Sequence, residues 1–144
     1  MLRKLIATSA TWVPIPLRIA MGVDFIAHGL QKVFGAFNGP GWAGWTSMSQ
    51  MAPFSFMKPA GIWLGIAALS ELIGGLLVLL GLFTRVGAFL IACVMLTAII
   101  GVHWPNFFAN NRGFEFPFVL LAVALALLIS GGGQASVDRL IARR

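Results

Sequence analysis

Long apolar runs, separated by a few charged residues, dominate the hydropathy pattern of this chain. The only ionisable residue between Lys58 and Arg85 is Glu71, and residues 86–111 contain no Asp, Glu, Lys or Arg. A further apolar run begins at Phe116 and reaches the glycines at 131–133, where a helix is expected to stop. Because a membrane-spanning helix needs about 20 mainly apolar residues, these runs predict helices over 60–83, 86–104 and 115–130.

The stretch over 14–37 is less apolar, because it carries Arg18, Asp24, His28 and Lys32. Ile, Ala, Met, Val, Phe and Leu fill the positions between them, so we predict a first helix there. The sequence therefore predicts an all-α membrane protein with four transmembrane helices in one bundle, forming a single domain over residues 1–144. The outer loop at 38–58 is rich in Gly, Pro, Ser, Met and aromatic residues, and it is either a lid over the helix ends or an interfacial anchor.

Composition supports a membrane location and argues against a nucleic-acid role. The chain is 59% hydrophobic and 10% charged, with a mean hydropathy of +0.93, whereas soluble domains carry about a quarter charged residues. The net charge of +6 would suit nucleic acid, but the basic residues lie at segment ends without forming a face. The expected partner is the lipid bilayer, and no nucleic-acid partner is expected.

The distribution of basic residues predicts the orientation in the membrane. With both termini in the cytoplasm, six basic residues lie inside and two outside, as the positive-inside rule requires. The inner set is Arg3, Lys4, Arg85, Arg139, Arg143 and Arg144, and the outer set is Lys58 and Arg112. The same orientation places four tryptophans at the outer boundary and Trp12 at the inner one, as interfacial anchors. The outer four are Trp42, Trp45, Trp63 and Trp104.

Cys93 is the only cysteine in the chain. An intrachain disulfide, a paired-thiol redox motif and a cysteine-rich zinc or iron–sulfur site are therefore excluded. Its apolar neighbours predict an inert, packed thiol. His28 and His103 could ligate a metal or haem, but they stand in no metal-binding motif, so no metal site is predicted.

Polar residues of the first helix recur on one side. Asp24, His28 and Lys32 are spaced four residues apart, so each step drifts only about 40° around the helix. Arg18 falls within the same arc of about 120°. Glu71 lies near the middle of the second helix, at the depth expected for Asp24 and His28.

Charged groups at mid-bilayer cost about 2.5 kcal/mol or more each, so these side chains should face one another or a water-filled cavity. His103, Arg112 and Glu115 are predicted to converge on the outer end of the same region. We therefore predict a polar pocket that opens outward, with Glu71 and His28 as catalytic candidates. The ligand-binding candidates are Lys32, Asp24, Arg18, His103, Glu115 and Arg112.

A purely structural interpretation of the same residues remains open. Buried ion pairs can fix helix register without doing chemistry. Lys32 could extend its ammonium group outward to the membrane surface. Arg112 and Glu115 could be a charge pair at the start of the fourth helix.

Motif residues are distributed along the whole chain in a fixed order. They read Arg18-x3-Gly22-x2-Phe25-x2-His28-Gly29-x2-Lys32-x2-Gly35, then Glu71-x2-Gly74-Gly75-x5-Gly81-x2-Thr84-Arg85, then Gly113-x-Glu115, Gly131 and Ser136-x-Asp138. In order and spacing this pattern resembles the DoxX family of small four-helix bacterial membrane proteins. Asp24 departs from the pattern, since a hydrophobic residue is expected there in most relatives.

The resemblance implies a multi-pass protein of the bacterial cytoplasmic (inner) membrane, in a family often labelled as oxidoreductases. It also implies relatives that serve as a subunit of archaeal thiosulfate:quinone oxidoreductase or as a partner of superoxide dismutase and a sulfurtransferase. It implies no established active-site residues, so His28, Lys32 and Glu71 carry over as shared motif positions only.

Two functions fit these observations. The first is a redox-associated membrane subunit that binds a quinone, or a small sulfur-containing or aromatic molecule, and quinone is the candidate cofactor. Such a site needs apolar walls, a donor such as His28 or Lys32, and a carboxylate such as Glu71 or Asp24 to handle a proton. Any enzyme activity would need a bound cofactor or a soluble redox partner. The second is a non-enzymatic carrier, or a binding or assembly protein for another membrane complex. If the protein is a transporter, we expect it to form a homodimer.

Overall fold

The computed structural model describes residues 2–142, and this part of the chain contains helices and no strand. We label the four long helices α1 (Pro14–Phe34), α2 (Ala60–Leu80), α3 (Thr84–Thr97, continued by a π-helix over Ala98–His103) and α4 (Glu115–Ser130). Short α-helices cover Leu2–Leu5, Gly41–Thr46 and Val137–Ala142, and single 3-10 turns cover Ala36–Asn38, Ser49–Met51 and Ala109–Asn111. The predicted all-α fold is confirmed. Arg143 and Arg144, which the charge count placed in the cytoplasm, lie outside the described residues.

Glycines in the left-handed conformation end the first two long helices earlier than predicted. Gly35 has φ 72° and donates its N–H to the carbonyl of Leu30, so α1 stops at Phe34 and not at residue 37. Gly81 has φ 65° and donates to the carbonyls of Leu77 and Val78, so α2 stops at Leu80 and not at residue 83. This conformation is the usual helix stop, because glycine adopts it without steric cost.

Two of the long helices are long and apolar enough to cross a membrane. They are Ala60–Leu80, with 21 residues and a mean hydropathy of 2.1, and Thr84–His103, with 20 residues and a mean hydropathy of 2.3. Helix α4 is apolar but has only 16 residues. Helix α1 has 21 residues, but its ionisable residues lower its hydropathy. Large apolar side chains of α2 are exposed along one side, as lipid contact requires: Ile62, Ile66, Leu69, Ile73, Leu76 and Leu80.

Each long helix packs against the next one in the chain, and α4 also contacts α1. The contact between α1 and α2 is close, because a Cβ atom added to Gly29 would lie 2.6 Å from the Cα atom of Leu72. A Cβ atom added to Gly75 would lie 2.8 Å from the backbone nitrogen of Ile26. Small residues allow helix backbones to approach in this way in membrane proteins. The spacing of α1 and α2 therefore depends on glycine at both positions.

Arg18 joins α1 to the far end of α2 and to the segment that follows α4. Its side chain is buried, and Nε donates to the carbonyl of Val78 at 2.9 Å, while Nη2 donates to that of Leu79 at 2.8 Å. Nη1 donates to the carbonyls of Gly132 and Ala135 at 2.9 and 2.7 Å. The last carbonyls of a helix have no partner within the helix. Arg18 supplies donors to two of them at the end of α2.

The side chain of Asp138 stabilises the turn between α2 and α3, next to the contacts of Arg18. Its buried carboxylate accepts hydrogen bonds from the backbone N–H of Phe83 (2.7 Å), the N–H of Thr84 (2.9 Å) and the hydroxyl of Thr84 (2.8 Å). It therefore caps the N-terminus of α3, where a negative charge is favourable. We call this region, with the turn between α2 and α3, the Gly81 end, and the opposite end of the long helices the Gly35 end.

We predict that Arg18→Gln lowers the stability of the protein by about 3 kcal/mol or more, because a carbonyl left without a donor costs about 1–3 kcal/mol. Three carbonyls lose their donor, those of Leu79, Gly132 and Ala135, whereas the carbonyl of Val78 keeps the N–H of Gly81. The measurement is the thermal unfolding temperature in detergent. The matched control is Arg3→Gln, since Arg3 is exposed and its loss should change stability by less than about 0.5 kcal/mol. Equal unfolding temperatures for the two variants would contradict a stabilising role for Arg18.

Candidate functional site

A cavity of about 420 Å³ lies at the Gly35 end, and all four long helices and four residues of the loop between α1 and α2 line it: Trp45, Met51, Ala52 and Met57. This volume falls in the range of about 300–1,000 Å³ that is typical of small-molecule pockets. Most of the lining is apolar. The polar or ionisable lining residues are Asp24, His28, Lys32, Ser70, Glu71, Cys93, Thr97 and His103.

Lys32 and Glu71 form a buried ion pair in the cavity wall. The ammonium nitrogen of Lys32 lies 2.6 Å from Oε1 and 2.5 Å from Oε2 of Glu71. The side chain of Glu71 is 4% exposed and that of Lys32 is 15% exposed. The close packing of Gly29 against Leu72 brings α1 and α2 together beside this pair. An ammonium group has three N–H donors, and the carboxylate uses at most two, so Lys32 retains a donor for a ligand.

The indole ring of Trp45 lies against the ammonium group of Lys32. The ammonium nitrogen lies 4.5 Å from the centroid of the indole ring, which is a cation–π geometry. The indole Nε1 donates to the carbonyl of Leu64 at 2.8 Å, which fixes the ring against α2. Trp45 is 9% exposed, so the prediction that it anchors the outer membrane surface is wrong. The aromatic ring is buried because it covers an ion pair that would otherwise face solvent or lipid.

The loop over 38–58 folds across the helix ends, since Met51, Ala52 and Met57 also line the cavity. The remaining tryptophans that were predicted as anchors are all more exposed than Trp45. Their exposed fractions run from 36% for Trp63 to 67% for Trp12, with Trp42 and Trp104 between them.

Asp24 and His28 form a second polar pair, which is separate from the first. Nε2 of His28 lies 3.8 Å from Oδ1 of Asp24, which is longer than a hydrogen bond. The side chain of His28 is 47% exposed and that of Asp24 is 30% exposed. The other carboxylate oxygen of Asp24, Oδ2, is buried and has no hydrogen-bond partner in the protein. The four-residue spacing therefore brings the two side chains together, but it leaves the acid incompletely satisfied.

His103 reaches the cavity from the π-helix that ends α3. Its Nδ1 lies 2.7 Å from the carbonyl oxygen of Arg112, and because a carbonyl can only accept, Nδ1 carries the proton. Segments of π-helix are frequent at functional sites, because the irregular turn redirects side chains.

Three residues predicted to bind ligand lie outside the cavity lining: Arg18, Arg112 and Glu115. Arg18 shares a helix face with Asp24 but lies about 9 Å further along the axis, where its guanidinium group is used on carbonyls. Glu115 accepts a hydrogen bond from the N–H of Ala109 at 3.0 Å, and Arg112 is exposed. Arg112 lies in the loop before α4 and Glu115 is the first residue of α4. Arg112 meets His103 through its backbone carbonyl, and neither the Arg112 nor the Glu115 side chain lines the cavity.

Cys93 was predicted to be packed and inert, but it is exposed and lines the cavity. Thr97, one turn later, lines the same wall. The sequence offered no signal for either residue, because apolar neighbours surround both. Ser70 and Trp45 were also missed as lining residues, although Ser70 is adjacent to Glu71 in the chain.

The cavity has a simple charge balance. It contains two carboxylates, Asp24 and Glu71, and one ammonium group, Lys32, which gives a formal charge of −1 when its two histidines are neutral. Within residues 2–142, no three His, Cys, Asp or Glu side chains come together in a group that could hold a metal ion. What the arrangement can do chemically is donate hydrogen bonds from Lys32 and accept them at Asp24.

Comparison with known proteins places the chain in a family. A family model described as DoxX matches residues 13–104. An "Uncharacterized protein" of Haemophilus influenzae is 31% identical over 132 residues, covering 87% of this chain and 80% of the relative. "Putative oxidoreductase CatD" of Bacillus subtilis is 35% identical over 122 residues, covering 85% of this chain and 81% of the relative. No solved structure matches the chain. The resemblance in the motif residues is thereby confirmed, and the chain belongs to the DoxX family of membrane proteins.

Proposed function

We propose that this protein is a redox-associated membrane subunit that binds a quinone, or a related small aromatic carbonyl compound, in the cavity at the Gly35 end. The observation that carries the proposal is the buried ion pair of Lys32 and Glu71 in the wall of a mostly apolar cavity of about 420 Å³. The name of the Bacillus subtilis relative, "Putative oxidoreductase CatD", supports a redox role.

The lining matches the chemistry of a quinone. Its ring is planar and apolar, and the walls offer Trp45, Trp63 and several aliphatic side chains. Its carbonyl oxygens accept hydrogen bonds, and Lys32 has a donor that Glu71 leaves unused. Replacing a buried ion pair by apolar residues is often neutral or stabilising. Stability alone therefore does not account for a lysine at this position, whereas recognition of a carbonyl oxygen does.

We also propose that the four long helices all cross the bacterial inner membrane as one domain, with both termini in the cytoplasm. Helices α1 and α2 run in opposite directions, because Gly22 packs against Leu79 and Gly29 packs against Leu72. Helices α3 and α4 continue the series, each packed against the preceding helix. Arg85 and Arg139 lie at the Gly81 end, while Lys58 and Arg112 lie at the Gly35 end. Helix α4 spans about 24 Å, and local thinning of the bilayer accommodates a crossing of that length.

This topology predicts the activity of alkaline phosphatase fusions, since the enzyme is active only outside the cytoplasm. Fusions within 47–56 should be active, whereas fusions at residue 82 or after residue 142 should be inactive. Green fluorescent protein at the same positions is the control, and it should give the opposite pattern. An active phosphatase at residue 82 would contradict the orientation.

Cys93 provides a direct test of ligand binding, because it is the only thiol in the chain and it lines the cavity. We expect a fully ring-substituted quinone such as duroquinone, which cannot add to a thiol, to slow the labelling of Cys93 by bromobimane at least fivefold in detergent. Lys32→Met should remove most of this protection. Durohydroquinone dimethyl ether, which has neither carbonyl oxygens nor hydroxyl groups, is the matched ligand control.

The outcomes of this experiment separate the two functional classes. Absence of protection by duroquinone in the wild-type protein would contradict the proposed function. If protection occurs, quinone-dependent electron transfer is compared in membranes that contain the protein together with its native partners and in membranes that lack only this protein. Binding of the quinone with equal electron transfer in both membranes would assign the protein to carriers or assembly factors, and the redox proposal would be wrong.

Two variants test whether the ion pair of Lys32 and Glu71 is more than a structural contact. Glu71→Leu leaves the Lys32 ammonium buried without its partner, and we expect a loss of about 3–5 kcal/mol in stability. The double variant Lys32→Met with Glu71→Leu removes both charges and should return to within about 1 kcal/mol of the wild type, because a buried pair adds little net stability.

The measurements are the unfolding temperature and the protection of Cys93 by duroquinone, in the same preparations. The double variant should be stable but should not bind the quinone. A double variant with wild-type stability and wild-type binding would show that the pair has no role in the site.

A further inference from the structure

We infer that Asp24, assisted by His28, is the hydrogen-bond acceptor of the cavity and gives it a preference for the reduced, hydroxyl-bearing form of its ligand. This inference rests on the proposed function and names the ligand form that the same cavity favours. It concerns binding alone and includes no electron transfer.

Glu71 is not available for this role. Both of its oxygens lie within 2.6 Å of the Lys32 nitrogen, and its side chain is 4% exposed. A carboxylate held in this way serves to position the ammonium group. The sequence left Asp24 and Glu71 as alternative proton-handling acids, and the geometry favours Asp24.

The carboxylate of Asp24, unlike that of Glu71, has no close partner among residues 2–142. Its Oδ2 atom is buried and has no hydrogen-bond partner, and its Oδ1 atom is 3.8 Å from the nearest His28 nitrogen. A buried polar atom without a partner costs about 1–3 kcal/mol, and more when it is charged. Because Oδ2 is buried, a ligand can reach this carboxylate only at Oδ1, which is not buried and makes no hydrogen bond within the described part of the chain. Asp24 lines the cavity, so a hydroxyl group of a ligand there would donate to Oδ1 and stabilise the carboxylate.

No other group of the cavity compensates Asp24 fully. On its own helix the ionisable neighbours are His28 and Lys32, and Lys32 is paired with Glu71 of α2. The π-helix that ends α3 contributes His103, whose Nδ1 proton is used on a carbonyl. Helix α4 contributes only Phe116, Pro117 and Leu120 to the lining. His28 is therefore the group placed to assist the carboxylate.

The cavity thus has an acceptor end and a donor end. Asp24 and Lys32 are eight residues apart on α1, so their Cα atoms are separated by about 12 Å along the helix axis. A ring with an oxygen atom at each end can therefore lie between the two side chains and form a hydrogen bond with each. A hydroquinone donates to Asp24 through a hydroxyl group, whereas the oxidised quinone presents only acceptor oxygens to the carboxylate. The difference is one hydrogen bond to a charged group, which corresponds to about tenfold or more in affinity.

The experiment compares durohydroquinone with duroquinone by equilibrium dialysis against the purified protein, with oxygen excluded. We expect the wild type to bind the hydroquinone at least tenfold more tightly. Asp24→Asn, which is nearly isosteric, should reduce this preference to less than threefold. Glu71→Gln should weaken the binding of both forms while leaving their ratio above fivefold. The matched control is Glu115→Gln, a carboxylate outside the cavity lining, which should behave as the wild type.

Failure of this inference can be told apart from failure of the proposed function. If the wild type binds neither form, the proposed function is wrong. If it binds both but Asp24→Asn keeps the tenfold preference, or if Glu71→Gln abolishes it, only the role of Asp24 is wrong. Thermal unfolding of each variant checks the fold, and Asp24→Leu gives the same comparison should the asparagine variant unfold, since an apolar residue is favourable within a membrane.

Discussion

Polar groups that are removed from water must find their partners inside the protein, and this constraint determines how the parts of this molecule are joined. The guanidinium group of Arg18 meets four backbone carbonyls, the carboxylate of Asp138 meets three donors, and Lys32 meets both oxygens of Glu71. Each of these contacts connects elements that are distant in sequence. Because an unpaired charge is strongly unfavourable in an apolar interior, these contacts determine which helix lies beside which.

The motif residues of the family divide into two groups by position along the helices. Arg18, Gly81, Thr84 and Asp138 meet at the Gly81 end, where they satisfy helix termini and close that end. His28, Lys32 and Glu71 lie at the Gly35 end, where they line the cavity. In the first group, Arg18 uses four of its five N–H donors on backbone carbonyls. In the second group, Lys32 retains a donor that faces the cavity region. A shared motif therefore does not imply a shared role, and only the second group is suited to chemistry.

The helices could be predicted from the sequence because the length of an apolar run and the position of a glycine are local properties. The burial of Glu71 could be predicted too, since a lone acid in a long apolar helix needs a partner. Its partner could not, because Asp24, His28 and Lys32 all lie on one side of α1 and only the register against α2 selects Lys32. The assignment of Arg18 to the pocket was wrong because periodicity gives a direction around the helix and not a partner at a given depth. The burial of Trp45 depends on the path of the loop, and the exposure of Cys93 depends on how α3 packs against its neighbours. Neither is encoded in local sequence.

The charge balance of the cavity narrows the class of ligand further than its shape does. A small anion, such as a sulfur oxyanion, would need an uncompensated cation, but the charge of Lys32 is already neutralised by Glu71 at 2.5 Å. Asp24 adds a further negative charge, which opposes the binding of any anion in a region of low dielectric constant. A neutral ring with hydrogen-bonding oxygens meets neither obstacle, because it needs only one donor and one acceptor. Under the proposed function, this charge balance favours a neutral ligand over a charged sulfur compound.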